Sequence, residues 1–170
     1  MVRPFLPVAV LALLSLSASA SGQETCALCF GSNNAAPGEA PLSIEIHADL
    51  SFSRLALSGS GAGSAAIDPQ SGVKRIDGGM IDLGGMPVQG RGRITGTPQR
   101  AVRIDLPRQV TMSTPDGTRA ELTELVTNLP PFPLLDSAGT LEFTFGGKLN
   151  LKGHKGGNFR GRIPISVDYN

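Results

Sequence analysis

The strongest constraint on the fold is a two-residue alternation of apolar and polar side chains near the end of the chain. It covers residues 141–151 (LEFTFGGKLNL) and 159–169 (FRGRIPISVDY). Successive side chains of a β-strand point to opposite faces, so each segment predicts a strand with one buried face and one solvent-exposed face. The turn sequence GHKGGN lies between them. Together these segments predict a long antiparallel hairpin whose odd-numbered side chains are hidden.

Alternation also appears earlier in the chain. In LSIEIHADLSF, at 42–52, the six apolar positions predict one face of a strand: Leu42, Ile44, Ile46, Ala48, Leu50 and Phe52. Shorter extended pieces follow between clusters of proline and glycine. We expect a flexible loop at 58–66 (SGSGAGSAA). One short helix is predicted at 118–129, where Leu122, Leu125, Val126 and Leu129 fit helical spacing. Connections this short exclude βαβ crossovers and favour a sandwich or barrel.

The first residues predict export. Arg3 precedes an apolar run from Phe5 to Leu14, and small residues before Ala20 offer a cleavage site. The run is too short to span a membrane, which predicts a signal peptide at 1–20. Residues 21–41 then predict a loosely held N-terminal arm, and 42–170 a single domain. We expect an exported protein that does not span the membrane.

The charge of the mature chain argues against nucleic-acid binding. The sequence has 15 basic and 14 acidic residues, and Arg3 falls in the predicted signal peptide, so the mature chain has no net formal charge. A nucleic-acid binder needs surplus cations to displace counterions from phosphate. A local excess of positive charge remains between residues 148 and 162. This stretch contains no acidic residue and five basic ones: Lys148, Lys152, Lys155, Arg160 and Arg162. They predict either a solvated face or a contact with an anionic glycan.

The motif CALC, at 26–29, is the most specific indication of chemistry in the sequence. In an exported protein it fits a small disulfide between Cys26 and Cys29, a redox pair, or half of a metal site. A redox pair needs a helix N-terminus, which the sequence does not predict there. Zinc needs four ligands, and both His47 and His154 would have to converge on the cysteines. A disulfide within the arm is the favoured interpretation, and pairing between chains is the other.

Motifs for catalysis are missing from the sequence. It has no G-x-S-x-G nucleophile elbow. Near either histidine, no serine or acidic residue occurs at a sequence spacing typical of a catalytic site. Glu121 and Glu124 are three residues apart and fit a solvated face. The sequence therefore predicts a non-enzymatic protein without cofactor or metal.

The segments IDLGGMPVQGRGRITGTP, FTFGGKLNLKG and NFRGRIPISVDYN resemble a bacterial family called domain of unknown function 4402. The resemblance covers about residues 42–170. It implies an exported, all-β, antiparallel, immunoglobulin-like β-sandwich, from a Gram-negative bacterium. Its location would be the periplasm, the cell surface or the medium.

The ending also resembles subunits of chaperone–usher pili and spore-coat-like proteins. Their last strand alternates, with a penultimate tyrosine and a glycine fourteenth from the end, as at Tyr169 and Gly157. The resemblance implies an assembly strand carried by Gly157, Phe159, Gly161, Ile163, Ile165, Val167 and Tyr169. It also implies strand addition involving copies of the chain, related subunits or a periplasmic chaperone. We therefore expect a fimbrial-type structural protein, and the alternative is a monomeric module that binds anionic glycans.

Overall fold

The computed structural model describes residues 38–59, 61–153 and 155–170, and these residues form an all-β, antiparallel, sandwich-like fold. The strands are β1 (Ser43–Ala48), β2 (Leu55–Leu57), β3 (Gly61–Ile67), β4 (Lys74–Gly78), β5 (Met80–Asp82), β6 (Gly90–Thr95), β7 (Val102–Asp105), β8 (Gln109–Ser113), β9 (Arg119–Thr127), β10 (Thr140–Gly153) and β11 (Ser166–Tyr169). In these ranges the model contains no helix long and apolar enough to cross a membrane.

β10 organises the larger sheet, which has seven strands. Its first half pairs with β6, from Thr140 to Phe145, and its second half pairs with β3, from Gly147 to Gly153. β9 pairs with the other edge of β10, because Phe145 has partners in both β6 and β9. β1 extends the sheet beyond β6, β4 extends it beyond β3, and β8 extends it beyond β9. Both edges of β10 are therefore occupied.

The alternating glycines of β6 make room for aromatic rings of β10. Gly90 lies opposite Phe145 and Gly92 opposite Phe143. A Cβ atom at Gly92 would lie 2.7 Å from the Phe143 ring, and one at Gly90 would lie 2.1 Å from the Phe145 ring. Small residues opposite large ones let the two strands pair while both rings fill the core.

A second layer consists of β7 and β11. The two strands are antiparallel, with Val102 opposite Tyr169 and Asp105 opposite Ser166. Val102 and Val167 belong to the same buried cluster as Ile94 and Phe143 of the large sheet. The core therefore lies between the seven-stranded sheet and the β7–β11 pair. A separate pair, β2 and β5, adds Leu55 and Met80 to this cluster.

The predicted terminal hairpin is wrong, although the predicted parity largely holds. β11 pairs with β7, and β10 is already flanked on both edges, so the two segments cannot be neighbours. Odd-numbered side chains still face inward: Phe143, Phe145, Leu149, Leu151, Phe159 and Val167 are buried, and Ile163, Ile165 and Tyr169 are partly buried. Gly161 is the exposed exception.

The predicted helix is also wrong, because residues 119–127 form β9. The helix-like spacing arises at a bulge. Gly146 pairs with Val126 and Lys148 with Thr123, so β9 carries one extra residue there, and Glu124 has φ 52°. The glycine pair of β10 thus does mark a bulge, but the extra residue belongs to the partner strand.

The predicted flexible loop at 58–66 is mostly strand β3. Its small residues are needed for close approach, because a Cβ atom at Gly63 would lie 2.5 Å from the backbone nitrogen of Met80. The predicted first strand is shorter than expected. β1 ends at Ala48 after a bulge between Ile46 and Ala48, and Ile46 is 41% exposed.

Candidate functional site

The last segment of the chain crosses from the β8 region to the second sheet. Arg160 forms an isolated bridge with Ser113, through N–O contacts of 2.8 and 2.9 Å, and Ser166 begins β11. Residues 161–165 lie between them outside any strand, and Pro164 is exposed there. Proline cannot donate a ladder hydrogen bond, so its place in this unpaired stretch matches its chemistry.

The penultimate tyrosine joins three parts of the chain. The Tyr169 hydroxyl donates a hydrogen bond of 2.6 Å to the carbonyl oxygen of Ala40. It accepts one of 2.7 Å from the backbone N–H of Thr97. The Arg100 guanidinium lies 5.7 Å from the centre of its ring and pairs with the Glu39 carboxylate. The tyrosine thus ties the chain before β1 to the loop after β6 and to β11.

The described end of the predicted arm contacts the domain. Besides the bond from Tyr169, Ala40 donates a 2.8 Å hydrogen bond from its N–H to Thr97 Oγ1. Residues 21–37 lie outside the described residues, and so does the predicted Cys26–Cys29 disulfide.

We expect Tyr169→Phe to lower the free energy of unfolding by about 1–2 kcal/mol, because Thr97 loses a partly buried hydrogen bond and Ala40 loses an exposed one. Urea unfolding followed by circular dichroism measures this loss. Combining Tyr169→Phe with Thr97→Ala tests the cause, since removal of one shared network should be less than additive. An unchanged urea midpoint for Tyr169→Phe would contradict the role of the hydroxyl.

An open groove separates β1 from the C-terminal segment. Among the described residues β1 pairs with β6 alone, so its other edge faces away from the large sheet. A cavity of about 400 Å³ lies between Ile46, near the end of this strand, and residues 161–165. Apolar side chains form most of its lining (Ile46, Leu50, Phe145, Ile163 and Ile165), and Asp49, Gly161 and Arg162 complete it. The groove therefore exposes apolar side chains beside the end of β1.

The residues of the predicted assembly strand do not form one continuous strand. Gly157 bridges Leu55, and Phe159 is buried beside it. Gly161, Ile163 and Ile165 line the groove, and only Val167 and Tyr169 belong to β11. The middle of the predicted assembly strand therefore lies in the groove and outside any strand.

The five cations of 148–162 lie in different surroundings, each with acids nearby. Lys148 Nζ is 3.6 Å from Glu124 Oε1, and Lys148 and Lys152 line one pocket together with Asp77 and Glu121. The Thr114 hydroxyl lowers the pKa of Asp116, and the charge of Lys155 adds to this effect. Arg160 and Arg162 each line a cavity that includes Asp49. Glu121 and Glu124 thus belong to a mixed-charge surface, as predicted for a solvated face.

A second cavity, which is polar and was not predicted from the sequence, lies on the outer face of β1, β6 and β10. His47, Arg91, Arg93, Asn128, Glu142 and Thr144 contribute to its lining, and its volume is about 430 Å³. Arg93 Nη2 donates a 2.6 Å hydrogen bond to Glu142 and thereby lowers the pKa of that carboxyl. The alternation R-G-R in β6 was the available signal, because it places both arginines on one outer face.

No metal-binding group is found among the described residues. His47 sits on the outer surface beside Glu45, with 3.9 Å between Nδ1 and Oε1. The other three residues of the hypothetical zinc site, Cys26, Cys29 and His154, lie outside the described residues.

One known protein family matches most of this chain. The profile of the family described as "Domain of unknown function (DUF4402)" matches residues 42–169. The chain belongs to this family. The DUF4402 match begins at Leu42, immediately before β1, and ends at Tyr169, the last residue of β11. No curated protein and no solved structure matches this DUF4402 chain significantly.

Proposed function

We propose that this DUF4402 protein is an exported, non-enzymatic structural subunit that assembles at the cell surface by strand addition. The groove between β1 and residues 161–165 is the observation that carries this proposal. An extended segment placed there would lie beside Ile46, at the end of β1, and would cover the apolar side chains that line the groove. A periplasmic chaperone, a related subunit or a second copy would provide such a segment.

The exposure of the groove residues supports the proposal. Ile46 follows the inward alternation of β1 but remains 41% exposed, and Ile163 and Ile165 are only partly buried. Fully burying a large aliphatic side chain contributes about 1.5–3 kcal/mol relative to leaving it exposed, so covering these residues would favour association. Edge strands with open backbone groups are templates for pairing with another chain.

Self-association should respond to charge in the groove and not to equal charge elsewhere. We expect Ile46→Asp to raise the dissociation constant for self-association at least tenfold, because the carboxylate would be desolvated under an added strand. The matched control is Ile81→Asp on β5, since Ile81 is 44% exposed and does not line the groove. Analytical ultracentrifugation of the chain from Ser21, with dithiothreitol present, measures both variants. A wild-type chain that stays monomeric, alone and with a periplasmic chaperone, would contradict the proposal.

The second candidate function is binding of an anionic glycan by a monomer. The observation that favours it is the cavity containing Arg91, Arg93 and His47, rather than the surroundings of Lys148 and Lys152. Arg93 is engaged by Glu142 in this cavity, which reduces the positive charge available to a ligand. We therefore place strand addition first.

A further inference from the structure

The charged side chains on the outer face of β1, β6 and β10 form two rows that cross the strands. In the first row, Arg93 of β6 lies opposite Glu45 of β1 and opposite Glu142 of β10. Arg93 donates a 2.6 Å hydrogen bond to Glu142. Its charge is therefore balanced by a carboxylate in each neighbouring strand.

The second row contains an arginine without such a carboxylate. Arg91 lies opposite Ala48 of β1 and opposite Thr144 of β10. Within the part of the chain that the structure describes, its guanidinium has no ion-pair or hydrogen-bond partner. His47, the residue of the β1 bulge, lies at the end of this row and lines the same cavity. An arginine that is free to bind an anion thus lies beside one that is already occupied.

The other polar groups of the cavity have fixed hydrogen-bonding roles. Asn128 Oδ1 accepts a 2.8 Å hydrogen bond from the backbone N–H of Thr144, which leaves Asn128 Nδ2 as a donor for a ligand. The Thr144 hydroxyl donates to the carbonyl oxygen of Pro69, so its oxygen can only accept a further hydrogen bond. Arg93 binds Oε1 of Glu142, and the second oxygen of that carboxylate remains an acceptor. The cavity therefore offers both donors and acceptors around Arg91.

This combination fits a ligand that carries a carboxylate and hydroxyl groups together. A guanidinium favours a carboxylate because it can donate two parallel hydrogen bonds to it. The hydroxyl groups of a sugar can donate to Thr144 and Glu142, whereas an inorganic anion has none to offer. The cavity of about 430 Å³ falls within the range of about 300–1,000 Å³ that is typical of small-ligand sites. We propose that Arg91 binds the carboxylate of a uronic acid unit in an acidic glycan, and that Glu142 limits the affinity by keeping Arg93 occupied.

The inference rests on the second candidate function and deepens it, because it names the ligand class and the residue that binds it. It does not depend on strand addition. The cavity on the outer face and the groove beside the end of β1 share no lining residue. The two proposals therefore stand or fall separately.

The first test is isothermal titration calorimetry of the chain from Ser21 with tetramers of galacturonate and of mannuronate. The matched ligand is the galacturonate tetramer with methyl-esterified carboxyl groups, which lacks the negative charges and keeps the ring hydroxyls. Inorganic phosphate is the probe for a general anion site. We expect at least one acidic tetramer to bind about tenfold more tightly than the methyl ester and than phosphate.

Two substitutions in the cavity should act in opposite directions. Arg91→Gln should weaken binding of the acidic tetramer about tenfold or more, and Arg75→Gln in β4, outside the cavity, is the matched control. Glu142→Gln should tighten binding about threefold or more, because it releases Arg93 and keeps an oxygen that can accept a hydrogen bond. Its control is Glu121→Gln, which also lies outside the cavity. All four replaced side chains are exposed, and circular dichroism checks that each variant keeps the fold.

The outcomes separate the inference from the second candidate function. Equal affinity for the acidic tetramer and its methyl ester overturns the carboxylate contact and leaves glycan binding standing. Wild-type affinity in Arg91→Gln overturns Arg91 as the binding residue, and unchanged or weaker binding in Glu142→Gln overturns the competition for Arg93. Phosphate that binds as tightly as the tetramers overturns the sugar as the ligand. Failure of every tetramer to bind overturns both the inference and the second candidate function, and leaves strand addition unaffected.

Discussion

Replacing Gly146 with valine is expected to destabilise the protein more than any other single substitution proposed for it. Gly146 lies where β10 changes partner from β6 to β3, and a Cβ atom there would be 2.1 Å from the carbonyl oxygen of Ile67 and 3.0 Å from the backbone nitrogen of Pro69. Backbone atoms at the end of β3 cannot move aside like the tip of a flexible side chain. A clash of this kind should reduce the free energy of unfolding by about 4 kcal/mol or more. That is a large part of the total stability of a domain, which is about 5–15 kcal/mol.

Gly61→Val is the matched control for this substitution. It places the same side chain in β3 where the nearest atom, the carbonyl oxygen of Ser58, is 4.0 Å from the added Cβ. We expect its stability to stay within about 1 kcal/mol of the wild type, because valine suits an exposed strand. Circular dichroism is the suitable measurement, since the chain lacks tryptophan. A Gly146→Val protein that unfolds at the wild-type urea concentration would show that β10 and β3 can separate without loss of the fold.

The second large effect is expected for Phe143→Ala, with a loss of about 3–5 kcal/mol. Phe143 is 2% exposed, and its ring centre lies 6.1 Å from that of Phe145. The control is Phe132→Ala, which removes the same atoms from a side chain that is 54% exposed and should cost less than about 1 kcal/mol. Urea unfolding of both variants gives the comparison.

A double-mutant cycle tests why Phe143 matters. Gly92→Ala alone should destabilise the protein, because its Cβ would lie 2.7 Å from the Phe143 ring. In the Phe143→Ala background that ring is gone, so the added methyl group should cost less or partly fill the cavity. The two changes should therefore be less destabilising together than the sum of their separate effects. Additive losses would contradict the paired small and large residues of β6 and β10.

The sequence predicted which side chains turn inward more reliably than it predicted which strands are neighbours. Alternation in 141–151 depends only on local backbone geometry, and Phe143, Phe145, Leu149 and Leu151 are buried as expected. The choice of partner depends on the whole sheet. β10 takes β6, β3 and β9, which leaves the last segment to pair with β7.

Two wrong predictions, the loop at 58–66 and the helix at 118–129, have their cause in contacts between strands. The small residues of β3 are typical of a loop, but in this fold they allow close contact with β4, β10 and the backbone of Met80. The bulge at Glu124 makes the apolar residues of β9 appear at helical spacing. Neither feature is visible without the neighbouring strands.

The groove was predictable only in part. A terminal segment with alternate apolar residues and one proline indicated an edge, and Pro164 does lie outside the strands. The other wall could not be predicted, because it depends on β1 being the last strand of the large sheet and on Ile46 remaining 41% exposed in it. The outer cavity that contains Arg91 and Arg93 was likewise not predictable, because it forms only when β1, β6 and β10 lie side by side.

The hydroxyl bridge from Tyr169 to Ala40 has a mechanical consequence. Tension applied at Gly38 would reach β1 and β11 together, and these strands belong to different sheets. The load would then be shared in parallel between the two layers, instead of peeling β1 from β6 one bond at a time. An arm pulled away from the domain would thus be anchored in both layers of the sandwich.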